Sequence, residues 1–458
     1  MIMKKMKKND YGRQMIRDSV IAFSLITLMA APGAADTIAE TSAALSVDTA
    51  ELFTERDLEQ TPDLTAAVSL ELKSGEDQTI TEEGIYLISG TAEDASIIVD
   101  APDDAKVQLI LDGAKISSTN SPCIYVKNAD KVFVTTTGSD STLSVTGEFT
   151  ADGDTNTDAV IFSRDDLVLN GTGSLTIQSS DNGISCKDDL KITGGSLDIT
   201  CASDALEANE AIAIAGGNIS IRTDKDGLHA ENDEDTTTGY VYISGGTLDI
   251  QAADDAIHAT TITQIDGGTF TLEGRECLEA TVILVNDGEI SISAADDGIN
   301  ASRKSDISTP TLEINGGNIT IEMAAGDTDA VDVNGNLCIN GGTLTITAQS
   351  PFDCDGQTAF NGGTLIVNGE EVTEITNQFM GGMGGFGMGG RGQEGFGNNG
   401  EMMPPEGEWQ NGEMTPPEGM EPGQGRGGMG HGGYGGRGGR GMNMENAENA
   451  EMTETAAG

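Results

Sequence analysis

The stretch Leu190 to Ile199 reads LKITGGSLDI, and the chain repeats it. Close copies are IAIAGGNISI at 212–221, VYISGGTLDI at 241–250, LEINGGNITI at 312–321 and LCINGGTLTI at 337–346. After each glycine pair, apolar and polar residues alternate, which is the pattern of a strand with one buried face. The second glycine of each copy, strict or looser, falls at 195, 217, 246, 268, 288, 317, 342 and 363, so the repeat is about 22 residues long.

A repeat of this length, with short strands and a glycine turn, predicts an all-β fold. Each repeat is one coil of a single-stranded parallel β-helix, a solenoid in which every coil stacks on the preceding one. The longer steps of 29 residues contain surface insertions at 231–238 and 303–310. These insertions belong to coils three apart, so we expect them to project from the same side about 15 Å apart, with a groove between them.

Residues 1–35 have the layout of a secretory signal peptide, a basic segment followed by a short apolar run and small residues. We therefore expect a secreted, extracellular protein, with cell-surface retention left open. The mature chain has no second hydrophobic segment, and so no integral membrane segment is expected. Its oligomeric state cannot be inferred from the sequence.

The rest of the chain divides into three parts. Residues 36–67 form an acidic linker, in which 47–63 is predicted to form a short helix that could cap the first strand edge. Residues 68–378 form the β-helix. Residues 379–458, rich in Gly, Met and Pro, are predicted to be a disordered tail, because they cannot build a core.

The net charge of -51 excludes nucleic acid as a partner, since nucleic acid binding depends on Lys and Arg. This acidity favours cations, or partners bridged by cations, although solubility alone would also explain it. The six cysteines do not share columns in adjacent coils, so we expect buried free thiols instead of disulfides.

A second signature recurs in each coil, as in SDALEA at 203–208 and DDAIHA at 254–259. Stacking would align its acidic residues in a column about 4.8 Å apart. These carboxylates either accept hydrogen bonds from turn amides or form a line of calcium sites. The predicted calcium ligands of this column are Asp204, Asp226, Asp255, Asp297 and Asp329.

The loop ADGDTNTDA resembles the first half of a calcium-binding loop. Asp152, Asp154, Asn156 and Asp158 stand at alternate positions there, but the bidentate Glu that would complete an EF-hand loop is missing. A polar surface loop is the alternative interpretation.

A second column lies three residues after the acidic one and would face outward. It contains Glu207, His229, His258, Glu279 and Asn300. A transition metal on the two imidazoles is one interpretation, and an exposed polar ladder is the other, because a flat sheet face spreads such groups apart. Together with Tyr240 and Tyr242, this column is our candidate for carbohydrate binding. No catalytic residue stands out, since carboxylates occur throughout the chain and few basic residues share a column.

Several segments are similar to one known family, among them SPCIYVKNADKVFVTT, TNTDAVIFSRDDLVLNGTGSLTI, DNGISCKDDLKITGG and KDGLHAENDEDTTTGYVYISGG. They resemble the secreted bacterial carbohydrate-binding-domain family with a polysaccharide-lyase-like β-helix, over about residues 51–369. The resemblance implies a right-handed parallel β-helix, bound calcium, and non-catalytic binding of cellulose or acidic glycans such as polygalacturonate. Plant cell-wall polysaccharide is then the expected partner. The alternatives are a calcium-dependent, pectate-lyase-like enzyme, and a surface adhesin or structural rod whose tail makes the contacts.

Overall fold

The computed structural model describes residues 21–22, 45–232, 234–326 and 328–376. The expected signal peptide, apart from residues 21 and 22, and the expected tail from residue 379 lie outside this part of the chain. The described residues form strands almost throughout, and their helical content is a single 3-10 turn, Leu64–Ala66. A short antiparallel pair, Ile21–Ala22 with Ser46–Val47, precedes that turn.

The chain winds into a parallel β-helix, as the repeat predicts. Each regular coil contributes one strand to each of three faces, and equivalent strands of successive coils pair in parallel. The first face is a thirteen-stranded sheet, named sheet 1. Its strands are Val68–Glu71, Gly84–Ser89, Lys106–Leu111, Lys131–Thr136, Asp166–Gly171, Asp189–Ile192, Ala211–Ile214, Tyr240–Ile243, Ile262–Ile265, Val282–Val285, Thr311–Ile314, Asn336–Ile339 and Thr358–Phe360.

The second and third faces, named sheet 2 and sheet 3, are joined by two long strands that run through both, Thr269–Ala280 and Glu289–Ala301. Sheet 2 also contains Thr91–Glu93, Lys115–Ser118, Ser141–Val145, Ser174–Ser179, Ser196–Cys201, Asn218–Thr223, Thr247–Ala252, Asn318–Met323, Thr343–Thr347, Thr364–Val367 and the antiparallel Glu370–Val372. Sheet 3 also contains Gln78–Ile80, Ile97–Asp100, Ile124–Asn128, Ala159–Ser163, Asn182–Cys186, Leu206–Ala208, Leu228–Ala230, Ile257–Ala259, Asp329–Val333 and Asp353–Cys354.

The core runs along the axis of the coils. The alternation in each glycine-led strand points every second residue inward, and the parallel register stacks these residues on one another. One such column, in which every member is at most 5% exposed, consists of Leu175, Leu197, Ile219, Leu248, Phe270, Ile290, Ile319, Leu344 and Leu365. Burial of these side chains supplies the main stabilisation of the coils.

The repeated glycine makes the turn between sheet 1 and sheet 2. Gly342 has a φ of +76°, a conformation that L side chains rarely adopt. A Cβ at this position would also lie 2.6 Å from the carbonyl oxygen of Gly317 in the preceding coil. The glycine that marks the repeat in the sequence is therefore required both by the turn and by the close stacking of coils.

After the strand Ser46–Val47, the segment up to residue 63 forms turns and not the helix that the sequence predicts over 47–63. The start of a helix is present, since Thr54 and Asp57 form a capping box. Thr54 N donates to Asp57 Oδ2 at 2.9 Å, and Asp57 N donates to Thr54 Oγ1 at 3.2 Å. One helical turn follows, closed by Leu58 N donating to Thr54 O at 3.3 Å. Pro62 disfavours the helical conformation at the residue before it, Thr61, and this prevents a longer helix.

This segment also lies along the outer surface of sheet 1, and not over the first strand edge as the cap prediction places it. The buried Asp57 carboxylate is 3.4 Å from Lys131 Nζ, and Lys191 Nζ donates to Leu52 O at 2.8 Å. Further along the sheet, Val47 N donates to Gln264 Oε1 at 2.8 Å. We call residues 45–63 the strap, because they bind strands of several coils from outside.

Candidate functional site

The outer face of sheet 3 carries an uninterrupted row of polar side chains. The strand register places them in direct succession, one per coil, as the sequence predicts. The row consists of Ser185, Glu207, His229, His258, Glu279, Asn300 and Asp332. It is more deeply buried than an exposed ladder, since His258, Glu279 and Asn300 are each at most 9% exposed.

The acidic column lies in the turn just before the strands of sheet 3. Three of its aspartates use one oxygen to accept the backbone N–H of the equivalent aspartate in the next coil. Asp204 Oδ1 accepts from Asp226 N at 3.2 Å, and Asp226 Oδ1 accepts from Asp255 N at 2.9 Å. Asp297 Oδ1 accepts from Asp329 N at 3.3 Å in the same way. These bonds to turn amides offset part of the repulsion between stacked carboxylates.

In the earlier coils, the second carboxylate oxygen pairs with a cationic side chain. Lys225 Nζ donates to Asp204 Oδ2 at 2.7 Å, while Asp226 and Asp255 contact the histidines of their own coils. Arg275 joins three coils, with Nε 2.7 Å from Asp254 Oδ1 and Nη1 2.8 Å from Asp296 Oδ2. Each aspartate of this half therefore has a cationic or histidine partner within the protein, while burial and neighbouring carboxylates still raise the pKa of Asp255 to about 7.

The two histidines of the row stack on each other. Their rings are 4.8 Å apart between centroids and inclined by only 6°. His229 Nδ1 is 2.6 Å from Asp226 Oδ2, and His258 Nδ1 is 3.1 Å from Asp255 Oδ2. Burial opposes protonation of both rings, but hydrogen bonds to carboxylates outweigh it and raise the pKa of His229 to about 10 and that of His258 to about 9.

The two insertions contribute charged residues that the sequence analysis missed. Glu231, in the first insertion, places Oε2 at 3.0 Å from His229 Nε2. Lys304, in the second insertion, places Nζ at 2.6 Å from Glu279 Oε1. The other carboxylate oxygen of Glu279, Oε2, is 2.8 Å from His258 Nδ1. Both residues lie in insertions that follow strands of sheet 3. This position in the sequence was the signal that could have identified them.

The prediction of a groove between the two insertions is wrong, because the insertions contact each other. Ser305 Oγ donates to the carbonyl oxygen of Thr236 at 2.5 Å, and Ser305 is only 4% exposed. A spacing of three coils does not keep loops apart when their backbones bend toward each other. The insertions instead border the histidine pair.

The later coils of the column differ from the earlier ones in charge. Among the described residues, no Lys, Arg or His lies within 4.0 Å of the carboxylates of Asp297, Asp329 or Asp332. Burial, reinforced by neighbouring carboxylates, raises the pKa of Asp297 to about 7 and that of Asp332 to about 6. Close by in the row, Asn300 Oδ1 is buried without a hydrogen bond partner. This region is rich in oxygen atoms that lack a positive counterpart.

The other predicted calcium loop lies on an earlier coil. A tight turn, closed by paired backbone hydrogen bonds between Asp152 and Thr155, shapes it. The Asp152 carboxylate already accepts from Lys127 Nζ at 2.7 Å and from Tyr125 OH at 3.1 Å. Asn156 Nδ2 donates to Asp158 Oδ2 at 2.5 Å, and Asp158 Oδ1 is buried without a hydrogen bond. Asp154 lies at the exposed tip of the turn.

Tyr240 and Tyr242 lie on sheet 1 and not beside the polar row of sheet 3. Both pack against the strap, and the ring of Tyr242 is 6.3 Å from that of Phe53. Tyr242 is only 6% exposed, and its hydroxyl donates to Asp266 Oδ2 at 2.9 Å. The structure therefore places both tyrosines against the strap, with Tyr242 buried and Tyr240 half-buried.

The fold and the polar row define a parallel β-helix protein with a continuous row of polar and charged side chains on the outer face of sheet 3. A family model described as "Carbohydrate-binding domain-containing protein" matches residues 74–282 and 278–377, so the chain belongs to that family. This match confirms the family resemblance seen in the sequence. None of the helices in the described part of the chain has the length and apolarity that crossing a membrane requires.

Two known proteins are similar to this chain. A protein of Acetivibrio thermocellus, described as a carbohydrate-binding domain-containing protein, is 42% identical over 120 residues, which is 25% of this chain and 42% of the relative. The match therefore spans less than half of that relative. The solved structure of a polysaccharide lyase-like protein from C. thermocellum, a gadolinium derivative, shares 30% identity with a TM-score of 0.41, covering 57% of this chain and 97% of the other.

Proposed function

We propose that this protein binds plant cell-wall polysaccharide without cleaving it, and that calcium bridges its carboxylates to those of an acidic glycan such as polygalacturonate. Membership of a carbohydrate-binding family supports the first part. The observation that carries the second part is the unneutralised acidic end of the column, where the pKa of Asp297 is raised to about 7 by burial and by neighbouring carboxylates.

The residues at this end suit a hard cation. Calcium takes six to eight oxygen ligands from carboxylates and amide carbonyls. Asp297, Asp329 and Asp332 supply carboxylates, and Asn300 supplies a buried amide oxygen that has no other partner. When bound, calcium would supply positive charge that binds sugar carboxylates. We therefore narrow the predicted calcium column to its later coils, since Asp204, Asp226 and Asp255 already pair with Lys225, His229 and His258.

The absence of cleavage is inferred from the basic residues of this face. A β-eliminating lyase needs an Arg or Lys base that can accept a proton from the sugar. Arg275 is the arginine nearest the column, and it is paired with Asp254, Glu276 and Asp296. Lys304 is likewise paired with Glu279. Neither is available as a base.

A pull-down of the protein on insoluble cellulose and on polygalacturonate, with calcium and with chelator, tests this function. We expect polygalacturonate to retain the protein only with calcium, and the D297N/D332N variant to be retained about tenfold less. Asp198→Asn, which removes an exposed carboxylate on sheet 2, is the matched control and should bind normally.

Three outcomes would redirect the proposal. Retention by neither polymer under either condition would overturn it. Release of unsaturated products that absorb ultraviolet light would indicate the lyase instead. Loss of all retention after removal of residues 379–458 would indicate an adhesin whose tail makes the contacts.

A further inference from the structure

The stacked histidines form a second type of site that the polysaccharide proposal does not use. One ring nitrogen from each of His229 and His258 and one carboxylate oxygen of Glu231 lie within 4.8 Å of one another. Imidazole nitrogen is a ligand of zinc and related transition metals, whereas calcium prefers oxygen. We propose that His229, His258 and Glu231 bind a divalent transition metal ion of the zinc class at the edge of sheet 3.

The hydrogen bonds on the far side of each ring support this site. Metal-binding histidines usually donate their other ring N–H to a carboxylate, which fixes the ring and presents the free nitrogen to the metal. His229 has this arrangement with Asp226 at 2.6 Å, and His258 has it with Asp255 at 3.1 Å. The sheet register repeats the arrangement in two successive coils. The Nε2 atoms are therefore left for the metal.

The third ligand comes from the first insertion. Glu231 lies two residues after His229, and its Oε2 is 3.0 Å from His229 Nε2. The side chain of Glu231 is 47% exposed, whereas that of His229 is 15% exposed, so the site is open to solvent on the side of the glutamate. Two histidines and one carboxylate are also the ligand set of zinc sites that keep a position open for a further ligand.

The alternative is a pair of protonated histidines held only by ion pairs. Two positive rings stacked at 4.8 Å between centroids would repel each other. One metal ion shared by two neutral rings would remove that repulsion. Zinc bound at about 2.0–2.1 Å places neighbouring ligand atoms about 3.3 Å apart, so the two parallel rings would tilt toward each other when they share one ion.

Titration of the full chain with Zn²⁺ against a chromogenic chelator, with calcium in excess, tests the site. We expect one Zn²⁺ per chain, and we expect Co²⁺ to give visible absorption bands of a nitrogen-coordinated ion. The H229Q/H258Q variant should lose both signals. Asp226→Asn should weaken Zn²⁺ binding by about 10–100-fold, because that aspartate positions the ring.

The third histidine of the chain, His431, gives a matched control, since it lies outside the glycine repeats. His431→Gln should bind Zn²⁺ like the unchanged chain. If H229Q/H258Q fails to fold, Glu231→Gln decides, because this exposed loop residue can be changed without disturbing the core; we expect at least tenfold weaker binding. Equal Zn²⁺ affinity in the unchanged chain and in Glu231→Gln would overturn the proposal. No polysaccharide is present, so the result is independent of the carbohydrate assignment.

Discussion

At the scale of single residues, the cysteines show how a reactive side chain becomes part of a core. All six lie in the described part of the chain without a disulfide bond, and five are buried in the coils. Cys123 and Cys277 occupy the small position of the repeat that other coils fill with Gly or Ala. Burial raises the pKa of each of these two thiols to about 12. They act as small apolar residues, as the sequence predicts.

Thiol alkylation under native conditions at about pH 8 should therefore be selective. The thiolate is the reactive form, and a raised pKa leaves very little of it. Cys338, the half-buried cysteine on the outside of sheet 1, should react first, and the five buried cysteines should react only after unfolding. Mass spectrometry of peptides would identify the modified positions, with alkylation in denaturant as the control for all six. Modification of Cys123 as rapid as that of Cys338 would contradict the buried arrangement.

At the scale of structural elements, the strap shows where a local pattern and the tertiary structure disagree. Residues 54–57 contain the capping hydrogen bonds of a helix start, but only one hydrogen-bonded turn forms, because Asp57 binds sheet 1 and Pro62 disfavours a helix further on. The Asp57 carboxylate is fully buried beside Lys131, which also lies 3.6 Å from Asp166. Arg56 lies over the ring of Phe133, 4.4 Å from its centroid. No local sequence signal connects these residues with strands more than seventy positions away.

Asp57→Ala should detach the strap while leaving the coils folded. The change removes the buried carboxylate that pairs with Lys131, while the ion pair of Lys131 with Asp166 remains. We therefore expect the free energy of unfolding to fall by about 1–3 kcal/mol. Limited proteolysis should then cut within 45–63 at a protease concentration that spares the unchanged protein. Glu59→Ala removes an exposed charge from the same segment and is the matched control. Unchanged resistance of Asp57→Ala would show that the ion pair with Lys131 does not hold the strap.

The repeat allowed most of the fold to be predicted, because each coil repeats the same turn and the same inward residues. The columns on sheet 3 followed from the register alone. What could not be predicted depends on contacts between distant segments: the strap, the touching insertions, and Glu231 beside His229. The tyrosines were misplaced because Tyr240 and Tyr242 lie on a different face from the histidine row, under a segment whose path the sequence does not reveal.

At the scale of the whole molecule, charge is distributed unevenly along the coils of the β-helix. The earlier coils of sheet 3 place Lys187, Lys225 and Arg275 among their carboxylates, with Lys187 Nζ 2.9 Å from Glu207 Oε1. Among the described residues, the carboxylates of Asp297, Asp329 and Asp332 have no such partner within 4.0 Å. Burial and neighbouring carboxylates raise the pKa of Asp297 and of Asp332, so these groups hold a proton more readily than an exposed aspartate does. A cation bound from solution would compete with that proton.

In chelator, the stability of the protein should therefore fall as the pH rises from about 4 to about 7. The pKa of Asp297, about 7 in the folded chain, is above its ordinary value of 3.8, so the folded state holds this proton more tightly than the unfolded state does. The stabilisation is fully present below about pH 4 and is lost as the pH passes the folded value; Asp332, with a pKa of about 6, acts in the same direction. Thermal unfolding across this range measures the slope.

Calcium should raise the melting temperature most at pH 7, where these carboxylates are ionised and can bind it. Asp297→Asn should flatten both dependences, while the exposed control Asp198→Asn should keep them. A melting temperature in chelator that rises steadily from pH 4 to pH 7 would show that the acidic end of the column carries no such unneutralised charge.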